Sequence, residues 1–167
     1  MRSVLFVCTA NICRSPMAEG VFRKLLKDGG LEGQVEVDSV ATHDYHEGKP
    51  PFAAATTAAR HRGYQIEHLV SRRIKPNDFD HFDIIVAMDR MNLSNLKAVA
   101  PTRCKQKIEL LTEYSDKYHG EEIRDPYGGK PRDYEVALDM IEDGCRGLVQ
   151  LITQRTRLPG SRAPDLG

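Results

Sequence analysis

The chain has 167 residues, 40% of them hydrophobic and 29% charged, a composition that suits one soluble domain with a proper core. Basic and acidic residues balance at 24 each, so no overall field recruits nucleic acid or an anionic membrane surface, and neither is expected as a partner. No apolar run reaches membrane-spanning length, Met1 leads straight into a strand pattern with no room for a leader, and Cys8, Cys13, Cys104 and Cys145 form no C-x-x-C pair, so a cytoplasmic protein with reduced thiols is expected.

Val4, Leu5, Phe6 and Val7 form an apolar run that reads as a strand buried on both faces. Cys8 to Ser15 is a short loop, and Ser15-Pro16 is a helix entrance with proline at the first helical position. Met17, Val21 and Leu25 with Ala18, Phe22 and Leu26 carry that helix to Asp28-Gly29-Gly30. Val35 to Val40 alternates as a second, partly exposed strand, so strand, helix and strand make a right-handed parallel unit. Thr42 to Pro51 is loop on the same rim as Cys8, Phe52 to Arg62 is helix stopped at Gly63, and His68 to Asn77 is irregular. Ser71-Arg72-Arg73, the most basic spot in the chain, reads as a solvated face.

A helical turn at Asn77 to Asp80 precedes a buried strand from Phe82 to Met88, which ends at Asp89-Arg90. A helix follows from Asn92 to Val99, and Lys107 to Leu111 is a fourth strand. Asp125-Pro126-Tyr127-Gly128-Gly129 is a turn, and from Pro131 a long final helix begins, with Gly144 and Gly147 weakening its middle. No interdomain linker interrupts the chain, so residues 1–158 are expected as one domain and 159–167 as a frayed tail.

The chemistry concentrates at Cys8 to Ser15. Backbone N–H groups of a tight loop entering a helix converge on one spot, and the helix dipole favours an anion there. Cys8 stands at the carboxyl end of a strand, where open α/β sheets place ligands. A thiol so placed, with the cation of Arg14 six positions on, loses its proton readily. Asn11 tolerates a left-handed backbone and can brace the loop with its amide. If the loop holds a phosphoryl group, the planar fork of Arg14 matches two of its oxygens and Cys8 sits behind the phosphorus. In-line attack by the thiolate then expels an alkoxide or phenoxide and leaves a phosphocysteine. The leaving oxygen needs a proton, and Asp125 in its rigid turn is the best donor. An acidic optimum is expected, since the thiolate must be charged while Asp125 is protonated.

The residues resemble the low-molecular-weight protein tyrosine phosphatases. The likeness rests on Val4-Leu5-Phe6-Val7-Cys8, Asn11-Ile12-Cys13-Arg14-Ser15-Pro16-Met17-Ala18-Glu19, Asp38-Ser39, Gly48-Lys49-Pro50, Phe82-Asp83, Ala87-Met88-Asp89-Arg90 and Asp125-Pro126-Tyr127, which run in order through nearly the whole chain. It implies an α/β fold of three layers, with a four-stranded parallel twisted sheet between helices. It also implies a cofactor-free and metal-free double displacement, protein phosphotyrosine as substrate and inorganic phosphate as product, in a monomer or weak dimer. Cys8 becomes the nucleophile, Arg14 the transition-state clamp and Asp125 the general acid. Thr9, Ala10, Asn11, Ile12, Cys13 and Ser15 become the phosphate-binding loop, Asn11 and Ser15 hold it and the thiolate, and His68 and Asp89 support it. Tyr45 and Tyr127 wall a deep cleft that suits a flat phenyl phosphate and that phosphoserine is too short to use.

The chain departs from this pattern in places. Ala10 stands where glycine is frequent and so requires an L-compatible backbone, Met91 replaces a common serine, and Gly128 stands where animal members carry a second aromatic, which opens the cleft. Ile12, rather than the threonine of phosphoarginine-directed relatives, favours phosphotyrosine. Cys13, five residues from Cys8, can close a protective disulfide with it if the loop relaxes. An arsenate reductase shares the fold and loop, but it needs a closely spaced resolving cysteine pair that Cys104 and Cys145 do not form. A non-enzymatic phosphotyrosine-binding module predicts loss of the nucleophile or acid, and both are present. His43, Asp44 and His46 have metal-ligand chemistry, but loop histidines at this spacing read as solvated.

Overall fold

The computed structural model describes residues 2–157. Strand β1 (Arg2–Cys8), helix α1 (Arg14–Asp28), strand β2 (Val35–Ala41), helices α2 (Ala53–His61) and α3 (Pro76–His81), strand β3 (Ile84–Ala87), helix α4 (Arg90–Val99), strand β4 (Ile108–Leu110) and helix α5 (Pro131–Arg157) follow in that order. The four strands form one sheet in the order β2-β1-β3-β4, parallel throughout. The expected α/β architecture is therefore present; the expected tail, 159–167, lies outside the described residues.

Because side chains alternate across a strand, β1 feeds two cores. Val4 and Phe6 pack with Met17, Val21, Phe22, Ala59, Leu138 and Ile141 of α1, α2 and α5. Leu5 and Val7 pack with Phe79, Ile85 and Leu96 on the α3 and α4 face. The Phe6 and Phe22 rings meet edge to face at 5.4 Å, which locks α1 onto the central strand. Cys8 pairs in register with Ala41, so the carboxyl ends of β1 and β2 deliver their loops to a common rim.

Some boundaries differ from expectation for definable reasons. Helix α1 begins at Arg14, not Pro16, with Cys13 at the N-cap and no side-chain cap. Proline two residues further in costs nothing, since first-turn amides have no intrahelical acceptor. Strand β3 is four residues rather than the expected Phe82 to Met88, because Phe82 still ends α3 through a bond from its N–H to the Asp78 carbonyl. The segment at Lys107 to Leu111 keeps three strand residues between two short 3₁₀ helices, Thr102–Lys107 and Leu111–Tyr114.

Gly144 and Gly147 do not interrupt α5, which is continuous over 27 residues. A Cβ on Gly147 would overlap the Tyr114 carbonyl oxygen, and one on Gly144 would press on Leu111. Both glycines allow the Leu111–Tyr114 turn to lie directly on the helix, a gain in packing that outweighs the propensity cost of about 1 kcal/mol per glycine.

Candidate active site

The loop between β1 and α1 is a polar cradle held from behind. Ser15 stands in the first turn of α1, where its hydroxyl caps nothing. Instead its Oγ lies 3.0 Å from Cys8 Sγ and its amide N–H donates to the same sulfur at 3.4 Å. An amide that donates and a hydroxyl able to donate, both on one buried sulfur, are groups that would stabilise a thiolate there.

Asn11 is the only described non-glycine residue with positive φ, at 58°. The Ala10 position therefore needs no special backbone, and the left-handed turn falls one residue later on a side chain that can stabilise it. Asn11 Nδ2 donates to Ser15 Oγ at 2.7 Å and to Ser39 Oγ at 3.0 Å, and its Oδ1 accepts from the Arg72 amide at 3.1 Å. Ser39 Oγ donates in turn to Glu19 Oε1 at 2.8 Å, and Arg23 closes the chain onto Glu19 Oε2 at 2.8 Å through Nε. Burial raises the Glu19 carboxyl above its ordinary value, against the pull of Ser39 and Arg23. Among the described residues no protein acceptor takes the amides of Ala10 to Cys13.

Arg14 is almost wholly buried, yet it is fully charged. Burial alone would lower its pKa, but the charges of Cys8, Asp89 and Asp125 together with the Asp89 hydrogen bond hold it above the ordinary value. One guanidinium nitrogen, Nη1, donates to Asp89 Oδ2 at 2.6 Å and to the Ile123 carbonyl at 2.8 Å. The other, Nη2, lies 3.7 Å from Asp125 Oδ2 and 3.5 Å from Thr9 Oγ1. Nε, though buried, has no protein partner, which leaves one donor for a ligand. Asp89 serves twice, because its other oxygen caps α4 by accepting from the Asn92 amide at 2.8 Å. Asn92 Nδ2 then returns to Thr9 Oγ1 at 3.1 Å.

Across the cleft, Asp125 Oδ1 accepts the Tyr127 amide at 3.1 Å, which shapes the turn. The backbone of this segment is anchored by the Ile123 amide on the Met88 carbonyl at 2.9 Å. Cys8, Thr9, Ala10, Ile12, Cys13, Tyr45, His46, Asp125 and Tyr127 enclose a cavity of about 190 Å³. Its rim is aromatic: Tyr127 meets Phe52 at 5.0 Å between centroids, and Tyr45 stacks on His43 at 4.9 Å. A thiol held by the Ser15 hydroxyl and amide, a buried permanent cation and a carboxyl facing it across an aromatic slot suit displacement at a phosphate monoester with an aryl leaving group.

The chain matches the family model for low molecular weight phosphotyrosine protein phosphatase over residues 3–158. It belongs to that family. A Bacillus subtilis low molecular weight protein-tyrosine-phosphatase, YfkJ, is 35% identical over 158 residues, which are 95% of this chain and 100% of the relative. The human low molecular weight phosphotyrosine protein phosphatase is 42% identical over 151 residues, 89% of this chain and 94% of the relative. A crystal structure of an Entamoeba histolytica protein tyrosine phosphatase with Hepes in its active site superposes with a TM-score of 0.89 at 34% identity, covering 92% of this chain and 98% of that one.

Within this family member the structure brings Cys8, Arg14, Asp125, Tyr45, Tyr127 and Asp89 to one cleft, but not His68. That histidine is exposed, and among the described residues no hydrogen bond or ion pair joins its side chain to the loop. The reason is topological: Arg73 forms a parallel bridge with Ala41, so the stretch laid against the loop is 71–73. Ser71 Oγ donates to the Ala10 carbonyl at 2.9 Å, and the Arg72 guanidinium ties Asp38 and Asp78 together at 2.9 and 3.0 Å. The spot expected to be a solvated basic face is thus partly a brace.

Ser39, Glu19, Ser71, Arg72, Asn92 and Phe52 were not readable as site residues from their own types. A hydroxyl at an inward position of a strand was the one available signal, at Ser39. Cys13 and Cys8 are both reduced. Cys13 Sγ lies 3.9 Å from Tyr134 Oη, and burial pushes its thiol up to about 12 against the effects of Tyr134 and Arg14. Cys104 and Cys145 are buried on opposite faces of the sheet, so they form no resolving pair. Among the described residues no cluster of metal-ligating side chains occurs, and no helix is long and apolar enough to cross a membrane.

Proposed function

We propose that this protein hydrolyses phosphotyrosine in proteins, and aryl phosphate monoesters generally, through a phosphocysteine intermediate. The observation that carries the reading is Cys8 Sγ between the Ser15 hydroxyl and amide, on the floor of a cavity that Asp125 and the tyrosines close from above. The unpaired loop amides and Arg14 Nε hold the equatorial phosphoryl oxygens, and the buried guanidinium stabilises the charge that develops on them. The Cys8 sulfur forms a bond to phosphorus as the bond to the aryl oxygen breaks, and Asp125 transfers its proton to that oxygen. Water then attacks the phosphocysteine. Asp125 takes its proton, the S–P bond breaks, inorganic phosphate leaves and the thiolate returns.

Two aspects of the setting support the same reading. No step requires a metal, so activity is expected to survive chelation. The reaction also needs Cys8 as a free thiol, which suits a reducing compartment such as the cytoplasm. Oxidation of Cys8 is expected to be reversible if Cys13 can reach it, because a disulfide stops further oxidation. A Cys8–Cys13 linked peptide after peroxide, with activity restored by reductant, is the expected result.

Hydrolysis of para-nitrophenyl phosphate tests the mechanism. Cys8→Ser should lose more than about 10⁴-fold in kcat, and full activity in that variant would exclude the mechanism. Asp125→Ala should lose about 10²-fold or more with phenyl phosphate, and less with para-nitrophenyl phosphate, whose better leaving group needs less protonation.

A further inference from the structure

A second and larger cavity, of about 540 Å³, opens between the loop after β2, the start of α3 and the outer face of α4. Its size is that of a small-molecule site. Phe79, Leu96 and Val99 contribute apolar surface, while Arg73, Lys75 and His43 contribute polar and cationic groups. No carboxylate lines it. Among the described residues neither Arg73 nor Lys75 has a side-chain ion pair, and both are exposed. The carboxylates nearby are already engaged. Asp78 is paired with Arg72 at 3.0 Å, and Glu47 meets the Arg73 backbone N–H at 3.5 Å rather than its guanidinium. The cavity is therefore apolar in its walls and cationic at its edge, with the cations unneutralised.

His43 joins this cavity to the catalytic cleft. The residue lines the cavity, and its ring stacks on Tyr45, a wall of the cleft, at 4.9 Å and 18°. Its amide donates to the Thr9 carbonyl at 3.0 Å, and the neighbouring Thr42 amide donates to the Cys8 carbonyl at 2.9 Å. Nδ1 is fixed by Thr42 Oγ1 at 2.8 Å. A group that enters the cavity and touches the imidazole therefore pushes on a ring that is stacked against the substrate wall, on a residue whose backbone is tied to the catalytic loop.

We propose that this cavity is a second, non-catalytic binding site for a small apolar anion, such as an aromatic or aliphatic sulfonate or carboxylate, and that its occupancy changes how tightly the cleft holds substrate by moving Tyr45 through His43. The apolar body lies against Phe79, Leu96 and Val99, and the anionic head meets Arg73 and Lys75.

The probe is 8-anilinonaphthalene-1-sulfonate, titrated by calorimetry and fluorescence in saturating inorganic phosphate so that the catalytic loop is occupied. One molecule per chain is expected to bind, about tenfold more weakly in the exposed-residue variant Arg73→Ala/Lys75→Ala. It should not bind Ala98→Trp, which fills the cavity from α4. Displacement by phosphate, or unchanged affinity in both variants, would overturn the site. The binding measurement needs no turnover, so its outcome is independent of the proposed phosphatase reaction. With phenyl phosphate as substrate, saturation by the probe should change KM by about twofold or more while kcat changes less. Binding that leaves KM untouched would overturn the link through His43.

Discussion

Arg14 is 1% exposed and Asp125 is 48% exposed, although the two face each other across one cleft. The difference extends to their surroundings. On the phosphate side, Cys8, Asn11, Ser15, Ser39 and Glu19 form a continuous buried chain of hydrogen bonds. On the leaving-group side, Asp125 is held by its own turn, and Tyr45 and Tyr127 are 65% and 51% exposed. A phosphoryl group has one shape, and charge developing on it is best met by donors that need not reorganise. The group that departs in the proposed reaction is an aryl oxygen carried on a protein chain, a bulkier and less uniform body than the phosphoryl group. A rigid floor with loosely held walls serves both demands, and it predicts that substitutions on the two sides fail in different ways.

The largest contrast is expected at Arg14. Arg14→Lys keeps the charge but removes the fork that joins Asp89, the Ile123 carbonyl and the ligand, and kcat should fall about 10³-fold with little change in KM. Steady-state kinetics decide it; a loss confined to KM would mean that the guanidinium binds ground state and transition state alike. Asn11→Ala removes three hydrogen bonds and leaves a β-carbon in left-handed backbone. It should cost about 2–4 kcal/mol in urea unfolding, with kcat reduced about tenfold through the loosened loop.

Tyr127→Ala lies at the other extreme. Unfolding free energy should stay within about 0.5 kcal/mol, while KM for aryl phosphates rises about fivefold. Equal damage to stability by the Asn11 and Tyr127 substitutions would erase the distinction between floor and wall.

The smallest effect concerns Cys13, whose thiol burial pushes up to about 12. Below the ordinary thiol value of 9.0 both folded and unfolded chains keep the proton, and the contribution to stability is complete. As pH rises from there, the unfolded chain ionises first, so stability falls until the folded thiol also titrates near 12. The Tm of Cys13→Ala should therefore fall less than that of the wild type between about pH 8.5 and 10.5. An identical slope would show that the thiol is not withheld from solvent as its packing against Tyr134 implies.

The two sides of the cleft were unequally legible. Cys8, Arg14 and Ser15 announce themselves because a strand, a short loop and a helix start place them within a single local unit, and local geometry follows from local sequence. Asp125 could be singled out only once a phosphoryl group was supposed in that loop, since an Asp-Pro turn has no chemistry of its own. His68 rested on the resemblance alone, because a polar residue in an irregular stretch gives no sign of its own of which atoms it will meet. The bridge between Arg73 and Ala41 decides that, and it selects Ser71 and the Arg72 amide.

The order of strands and helices, the two-faced burial of β1 and the pairing of a nucleophilic thiol with an arginine were all determined by the sequence itself, because hydrophobic period and turn chemistry act over a few residues. Tertiary structure alone decided the rest. It turned Ser15 from a helix cap into a donor to sulfur, recruited Ser39, Glu19 and Asn92 from separate elements, and gave Asp89 both a helix to cap and an arginine to hold. The contacts of Ser39 with Glu19, Asp89 with Arg14 and Asn92 with Thr9 bring residues 20 to 83 positions apart to hydrogen-bond distance, and that is set by how the helices pack on the sheet.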